Sequence, residues 1–102
     1  MSAIVSDNPA EGRYEARLDG EVVGFAMYRD EDGRRVFFHT EVDPSHEGEG
    51  LGHELVTTAL TEMREQGIPV VPLCPFFAGF IRKHPEWRDV LAPELQARFE
   101  HA

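Results

Sequence analysis

The sequence predicts an α+β domain, with a mixed β-sheet in which three antiparallel strands lead into a helix, a further strand and a second helix. Three observations predict it. Two turn signals, Asp19-Gly20 and Asp30-Glu31-Asp32-Gly33, separate three strand-like segments. The apolar period changes to that of a helix at Leu51. A short apolar run, Ile68 to Leu73, lies between two helical segments, so it can return parallel to the third strand.

Each element has its own local reason. Met1 to Gly12 is polar and reads as a loose lead-in segment. Arg13 to Leu18 alternates, with Tyr14, Ala16 and Leu18 on one face and charges on the other, the pattern of a half-buried strand. Glu21 to Arg29 is the second strand. Arg35 to Val42 is the third; Val36, Phe37 and Phe38 make it apolar on both faces, as in a strand covered on both sides. Asp43 to Gly50 is rich in turn formers. Leu51, Leu55, Val56, Ala59, Leu60 and Met63 then follow helical spacing, and Gly67 offers a left-handed cap. Ile68 to Leu73 is the fourth strand. Pro75 suits the first turn of the next helix, with Phe76, Phe77, Phe80 and Ile81 as its buried stripe, and Pro85 stops it. Trp87 to Leu91 reads as irregular or a short turn, and Pro93 to Phe99 as a terminal helix.

Composition narrows the function classes. The 102 residues suit one domain spanning 1–102, with its core at about 12–91. No apolar run approaches the ~20 residues of a membrane span, and Met1 to Asp7 lacks the features of a signal peptide. A cytoplasmic location is the expectation. The formal net charge is −9, from 19 acidic residues against nine Arg and the single Lys83. Long phosphate backbones demand a basic face, so a nucleic acid is not an expected partner, nor is a membrane. The single cysteine, Cys74, allows neither an internal disulfide framework nor a multi-thiolate zinc site. His46 and His53 flank a glycine loop without a carboxylate at ligand spacing, so no metal is expected.

The sharpest motif is Glu47-Gly48-Glu49-Gly50-Leu51-Gly52, which follows a strand and opens a helix. Alternating glycines let the backbone turn its amides toward a ligand, and the helix start adds unpaired donors and a positive dipole end. Together these suit a pyrophosphate even in an acidic chain; the alternative is a loop whose glycines serve turn geometry alone. No Gly-Lys-Ser/Thr follows, so the loop is not a Walker A motif. Its Gly-x-Gly-x-Gly spacing and the preceding strand meander also exclude a dinucleotide-binding fold.

Val42-Asp43-Pro44, the glycine loop and the following helix resemble the acetyl-CoA-binding core of the GNAT N-acetyltransferase superfamily. Gly50 and Gly52 match the two small positions of that superfamily's Arg/Gln-x-x-Gly-x-Gly/Ala loop, whereas Glu47 stands where it has Arg or Gln. Phe38-His39-Thr40-Glu41-Val42, Val70-Val71-Pro72-Leu73-Cys74-Pro75-Phe76 and His84-Pro85-Glu86-Trp87 make the chain similar to a short, yjdJ-type GNAT-like subgroup.

The resemblance implies a GNAT-like sheet whose third and fourth strands splay into a V that holds the acetyl-pantetheine arm. Backbone groups near Glu41 and Val42 would pair with the arm. Amides from Gly48 through Glu49, Gly50 and Leu51 to Gly52 would hold the pyrophosphate. The thioester would point toward His39, Glu41 and Cys74, with Cys74 and Phe76 lining its pocket. Acetyl-CoA is then the cosubstrate, and the acceptor an unidentified amine on a small molecule or a protein. The N-terminal helices of larger members are absent, which implies an open acceptor site or one completed by a partner.

Acetyl transfer needs a neutral amine, a polarised carbonyl and a proton for the leaving thiolate. His39 and Glu41, two apart on a strand, share a face, expected to be that of Phe37, and either can accept a proton. Each is equally readable as an ordinary strand residue. Cys74, between a buried strand and a proline-led helix, reads as a nucleophile favoured by the helix dipole or as a small buried hydrophobe. Many GNAT enzymes carry a Tyr on that helix as the acid for CoA. Here it reads Pro75-Phe76-Phe77-Ala78-Gly79-Phe80-Ile81, which keeps open a non-catalytic acyl-CoA-binding or sensing module. Arg82, Lys83 and His84 form the one basic cluster, readable as a ribose-phosphate contact or a solvated helix end.

Overall fold

Two-residue turns set the register of the first half of the chain. Asp19 and Gly20 have φ of 51° and 82°, and Asp32 and Gly33 53° and 77°. Those are the two positive values a tight hairpin needs, and Asp tolerates them better than most residues. The computed structural model describes residues 3–99. In it, β2 (Arg13–Leu18), β3 (Glu21–Glu31) and β4 (Arg34–Val42) form the expected antiparallel meander. β5 (Val70–Pro72) runs parallel to β4, to which α1 (Leu51–Gln66) connects it. α2 (Pro75–Lys83) follows, then a 3-10 segment at Pro85–Val90, the short α3 (Pro93–Gln96) and a final 3-10 turn at Ala97–Phe99.

One element departs from expectation. Residues Ile4–Asn8, expected to be a loose lead-in, form β1, which pairs antiparallel with β2 at the sheet edge. The pattern Ile-Val-Ser-Asp-Asn has no clear alternation, so its strand character comes from pairing and from contact with α1. A turn ties it down: Glu11 N–H donates to the Asn8 carbonyl and Gly12 N–H to that of Pro9, each at 3.1 Å. Met1 and Ser2 lie outside the described residues. The sheet therefore has five strands in the order β1-β2-β3-β4-β5.

One face of this sheet is the core face. Tyr14, Ala16, Ala26, Tyr28 and Phe37 are buried there with Leu55, Val56, Ala59 and Leu60 of α1 and Phe77 and Ile81 of α2. Phe37 stacks on Phe77 with ring centroids 4.4 Å apart. The opposite face carries Arg13, Glu15, Phe25, Met27 and His39, none of them in that cluster.

A bulge in β4 decides which residues face which way. Met27 lies opposite His39, but Tyr28 lies opposite Phe37, so Phe38 is an extra residue on β4. Residues directly opposite in an antiparallel pair share a face. Phe37 therefore points to the core with Tyr28, while His39 and Glu41 point the other way with Met27 and Phe25. This corrects the expectation that Phe37, His39 and Glu41 share one face. It also explains why Phe38, expected to be buried, is 37% exposed.

Candidate active site

The site begins where β4 and β5 part. Their parallel pairing covers Arg35↔Val70, Val36↔Val71 and Phe37↔Pro72 and then stops. The Phe37 carbonyl accepts the N–H groups of both Leu73 and Cys74, each at 3.0 Å. Pro75 then starts α2, with Cys74 as its extended N-cap at φ −71° and ψ 128°. β4 continues from Phe38 to Val42 with β3 on one side and, among the described residues, no strand on the other. Its unpaired outer edge can accept an extended ligand.

This free edge leads to the glycine loop. Gly48 and Gly50 have φ of 85° and 80°, values that side-chain-bearing residues rarely adopt, and a Cβ at either would meet nothing within 4 Å. Gly52 differs. It lies inside α1, and a Cβ there would come within 2.5 Å of Phe76 Cζ, so the Phe76 ring is seated directly over it. Two of the motif's glycines thus shape the backbone and the third makes room for a ring.

The first backbone hydrogen bond at the start of α1 runs from Glu54 N–H to the Gly50 carbonyl at 3.0 Å. The N–H groups of Leu51, Gly52 and His53, at the helix start, have no intrahelical acceptor. They border a cleft of about 420 Å³ that also touches Thr40, Val42, Gly48 and Phe76. Glu49, expected to join the cradle, is turned away: its N–H donates to the His46 carbonyl at 3.4 Å and its carboxylate meets His46 Nδ1 at 3.0 Å.

The charges around the cleft are mixed. Glu47 lines it, exposed, at the motif's first position. His46 lines it too, and the hydrogen bond to Glu49 raises the His46 pKa, favouring the imidazolium beside the carboxylates. Asp43 accepts from Ser45 N–H and Ser45 Oγ at 2.9 and 2.8 Å; these bonds hold its carboxyl below the usual range and pin the turn after β4.

The reactive candidates fall on two sides of β4. Cys74 is 4% exposed, and its Sγ donates to Thr40 Oγ1 at 3.3 Å. Thr40 is the residue that sequence reasoning missed. Its only signal is its place between His39 and Glu41, which gives it the opposite face. His39 and Glu41 meet each other on the open face, Nε2 to Oε1 at 3.4 Å, with side chains 49% and 60% exposed. The Phe25 ring lies 6.1 Å from that of His39. Beside them a depression of about 510 Å³ is lined by Arg13, Val22, Phe25, Glu41 and Pro44. His39 and Glu41 therefore form one pair and Cys74 and Thr40 another, with the β4 backbone between them.

No tyrosine stands at this cleft. Tyr14 donates to Glu62 Oε1 at 2.8 Å and Tyr28 to Asp7 Oδ1 at 2.7 Å. Burial first, and then these hydrogen bonds to carboxylates, raise both phenol pKa values, so both remain neutral donors within the core. Among the described residues no group of three or more His, Cys, Asp or Glu side chains is placed to hold a metal ion. No helix there is long and apolar enough to cross a membrane.

A sequence profile of the family described as GCN5-related N-acetyl-transferase matches residues 13–90. The fold is similar to the NMR solution structure of a GCN5-like protein from Staphylococcus aureus, provisionally assigned as an N-acetyltransferase. The TM-score is 0.69 at 19% identity, over 87% of each chain. No match is found among curated proteins.

Proposed function

The chain belongs to the GCN5-related N-acetyltransferase family, and from that premise we propose that it transfers the acetyl group of acetyl-CoA to an amine approaching from the open face of the sheet. The observation that carries this reading is the continuity of two unsatisfied backbone surfaces. The free edge of β4 runs from the splay point at Phe37 to Val42, and the open amides of Leu51, Gly52 and His53 border the cleft at its end. A peptide-like pantetheine arm needs the first surface and a pyrophosphate the second. Backbone donors offset the acidic balance of the chain, with Glu41, Val42, Gly48, Glu49, Gly50, Leu51, Gly52, Cys74 and Phe76 as the assigned contacts. Within that set Glu49 contributes through its hydrogen bond to His46, which raises the His46 pKa and favours the imidazolium, rather than by its own amide.

His39 and Glu41 are the assigned proton acceptors for the incoming ammonium, since they share the open face with the depression beside Phe25. The amine nitrogen attacks the thioester carbonyl, the C–N bond forms, the C–S bond breaks, and the CoA thiolate leaves with a proton. Cys74 lines the thioester end, where its Thr40 contact orients the thiol. In a two-step variant Cys74 Sγ attacks the thioester carbonyl first, and CoA leaves as a thiol carrying the proton that Cys74 loses. The amine then attacks the acetyl-Cys74 carbonyl, the Cys74 C–S bond breaks, and the proton lost by the nitrogen restores the Cys74 thiol.

The test is thermal unfolding with acetyl-CoA, followed by mass spectrometry of a panel of amines. Ligand that binds only the folded chain raises the midpoint. No shift at millimolar acetyl-CoA overturns the proposal. Undiminished turnover by Cys74→Ala rejects the two-step variant alone. One observation favours the second reading, a binding or sensing module without catalysis: both tyrosines are locked into the core and neither can serve the departing thiolate. That reading expects the thermal shift and no acetylated amine.

A further inference from the structure

The face of the sheet turned away from the core carries one buried carboxylate. Glu15 is 2% exposed. Its Oε2 accepts Arg13 Nε at 2.7 Å, and its Oε1 accepts Arg17 Nη2 at 2.7 Å and Asn8 Nδ2 at 3.2 Å. Both oxygens are thus satisfied. Two guanidiniums on one carboxylate leave a surplus positive charge, in a chain of formal net charge −9.

That surplus falls to Arg13. Arg17 donates its other terminal nitrogen to the Gly20 carbonyl at 3.1 Å. Arg13 is engaged through Nε, and among the described residues its Nη1 and Nη2 have no hydrogen-bond partner. Its Cζ lies 4.8 Å over the Phe25 ring, so the ring and Glu15 together hold the guanidinium in place. His39 stands 6.1 Å from the same ring, between centroids. Arg13 on β2 and His39 on β4 therefore flank Phe25 on β3.

The depression of about 510 Å³ joins these groups. Arg13 lines it together with Glu41 and Asp43, and Val22, Phe25 and Pro44 give it apolar surface. Asp43 is engaged by Ser45, which leaves Glu41 with His39 as the proton-accepting pair. A simple anion would meet two carboxylates here, and a diamine would bring its second cation against Arg13. A molecule that carries both charges suits both sides.

We propose that the acceptor is a small zwitterionic amine, whose carboxylate docks on the free fork of Arg13 while its ammonium faces His39 and Glu41. The β2 and β4 backbones lie two strand spacings apart, about 10 Å. The two charges of the ligand therefore stand several bonds apart, as in an ω-amino acid. The ammonium gives its proton to the His39–Glu41 pair, the N–acetyl bond forms as the thioester C–S bond breaks, and the product keeps its carboxylate. This rests on the acetyl-CoA reading above and names the class of its acceptor.

Steady-state acetylation of matched amines at saturating acetyl-CoA tests it. The panel holds ω-amino acids of three to six carbons, n-alkylamines of the same lengths and 1,5-diaminopentane. The best ω-amino acid should exceed the alkylamine of its length about tenfold or more in kcat/KM, the scale of one charge-assisted pair. The difference should lie in KM. Arg13→Gln with Glu15→Gln, which removes the buried charge along with its partner, should bring that ratio close to one. A ratio near one in the intact protein, or a preference for the diamine, overturns the proposal whether or not the variant folds. An unchanged ratio in a variant that still unfolds cooperatively assigns the preference elsewhere and also overturns it. Thermal stabilisation by acetyl-CoA with none of these amines acetylated overturns it and leaves the cosubstrate reading standing. Neither stabilisation nor acetylation overturns both.

Discussion

At its N-terminal end β4 has a strand on each side; at its C-terminal end it has one on one side only. The first end is fully partnered. Arg35 pairs with Asp30 at 2.8 Å and Asp7 at 3.6 Å and lies 3.8 Å over the Tyr28 ring, and Phe37 is wholly buried between Tyr14, Tyr28 and Phe77. The second end leaves the outer backbone edge of β4 and a glycine loop without strand partners among the described residues. The difference teaches how so short a chain can keep a ligand-sized gap in its sheet. The closed end supplies the packing that holds the splay, and the open end supplies unsatisfied donors and acceptors for a ligand to complete.

Substitutions can break this division or sharpen it. The largest effect belongs to Phe37→Ala, which removes the ring at the splay point. It should cost about 3–5 kcal/mol in urea unfolding, as for other fully buried aromatics. A loss below ~1 kcal/mol would show that the closed end is not what holds the sheet. Next comes Gly50→Val at the open end. A β-branched residue at φ 80° is strained, so the loop must shift, at about 1–2 kcal/mol of stability. Acetyl-CoA affinity should fall tenfold or more, out of proportion to that cost; unchanged affinity would remove the loop from the binding surface.

The smallest effect is a pH dependence. Glu49 raises the His46 pKa, so His46 beside the cleft stays charged to a higher pH than an ordinary histidine. Affinity for an anionic ligand should be greatest below the ordinary histidine range and decline as pH rises through the raised value. His46→Gln should remove roughly a two- to fivefold slope in a titration between pH 6 and 8. A slope that persists in the variant assigns it to another group.

Much of this comparison is legible in the residues. Asp19-Gly20 and Asp32-Gly33 specify hairpins locally, because few residues accept two positive φ values in a row. The apolar spacing from Leu51 to Met63 specifies α1, and all six of those positions are buried. The return of the short apolar run parallel to β4 follows from the intervening helix. The glycine loop is likewise local, since φ preference and helix-start donors belong to the backbone.

What stayed hidden depends on pairing across the sheet. β1 becomes a strand because β2 and α1 offer it partners, and nothing in Ile4–Asn8 alone says so. One extra residue, Phe38, turns His39 and Glu41 away from Phe37, and a bulge is a property of two strands together. Thr40 meets Cys74 across 34 residues of chain, and His53 meets Phe80 and His84 only once α1 and α2 are packed. By itself the sequence determined the order of elements from β2 to α2, the turns and the glycine loop, because those follow from local backbone preference and apolar period. The tertiary structure alone decided which side chains share a face or a cleft, because that follows from register and packing between segments far apart in the chain.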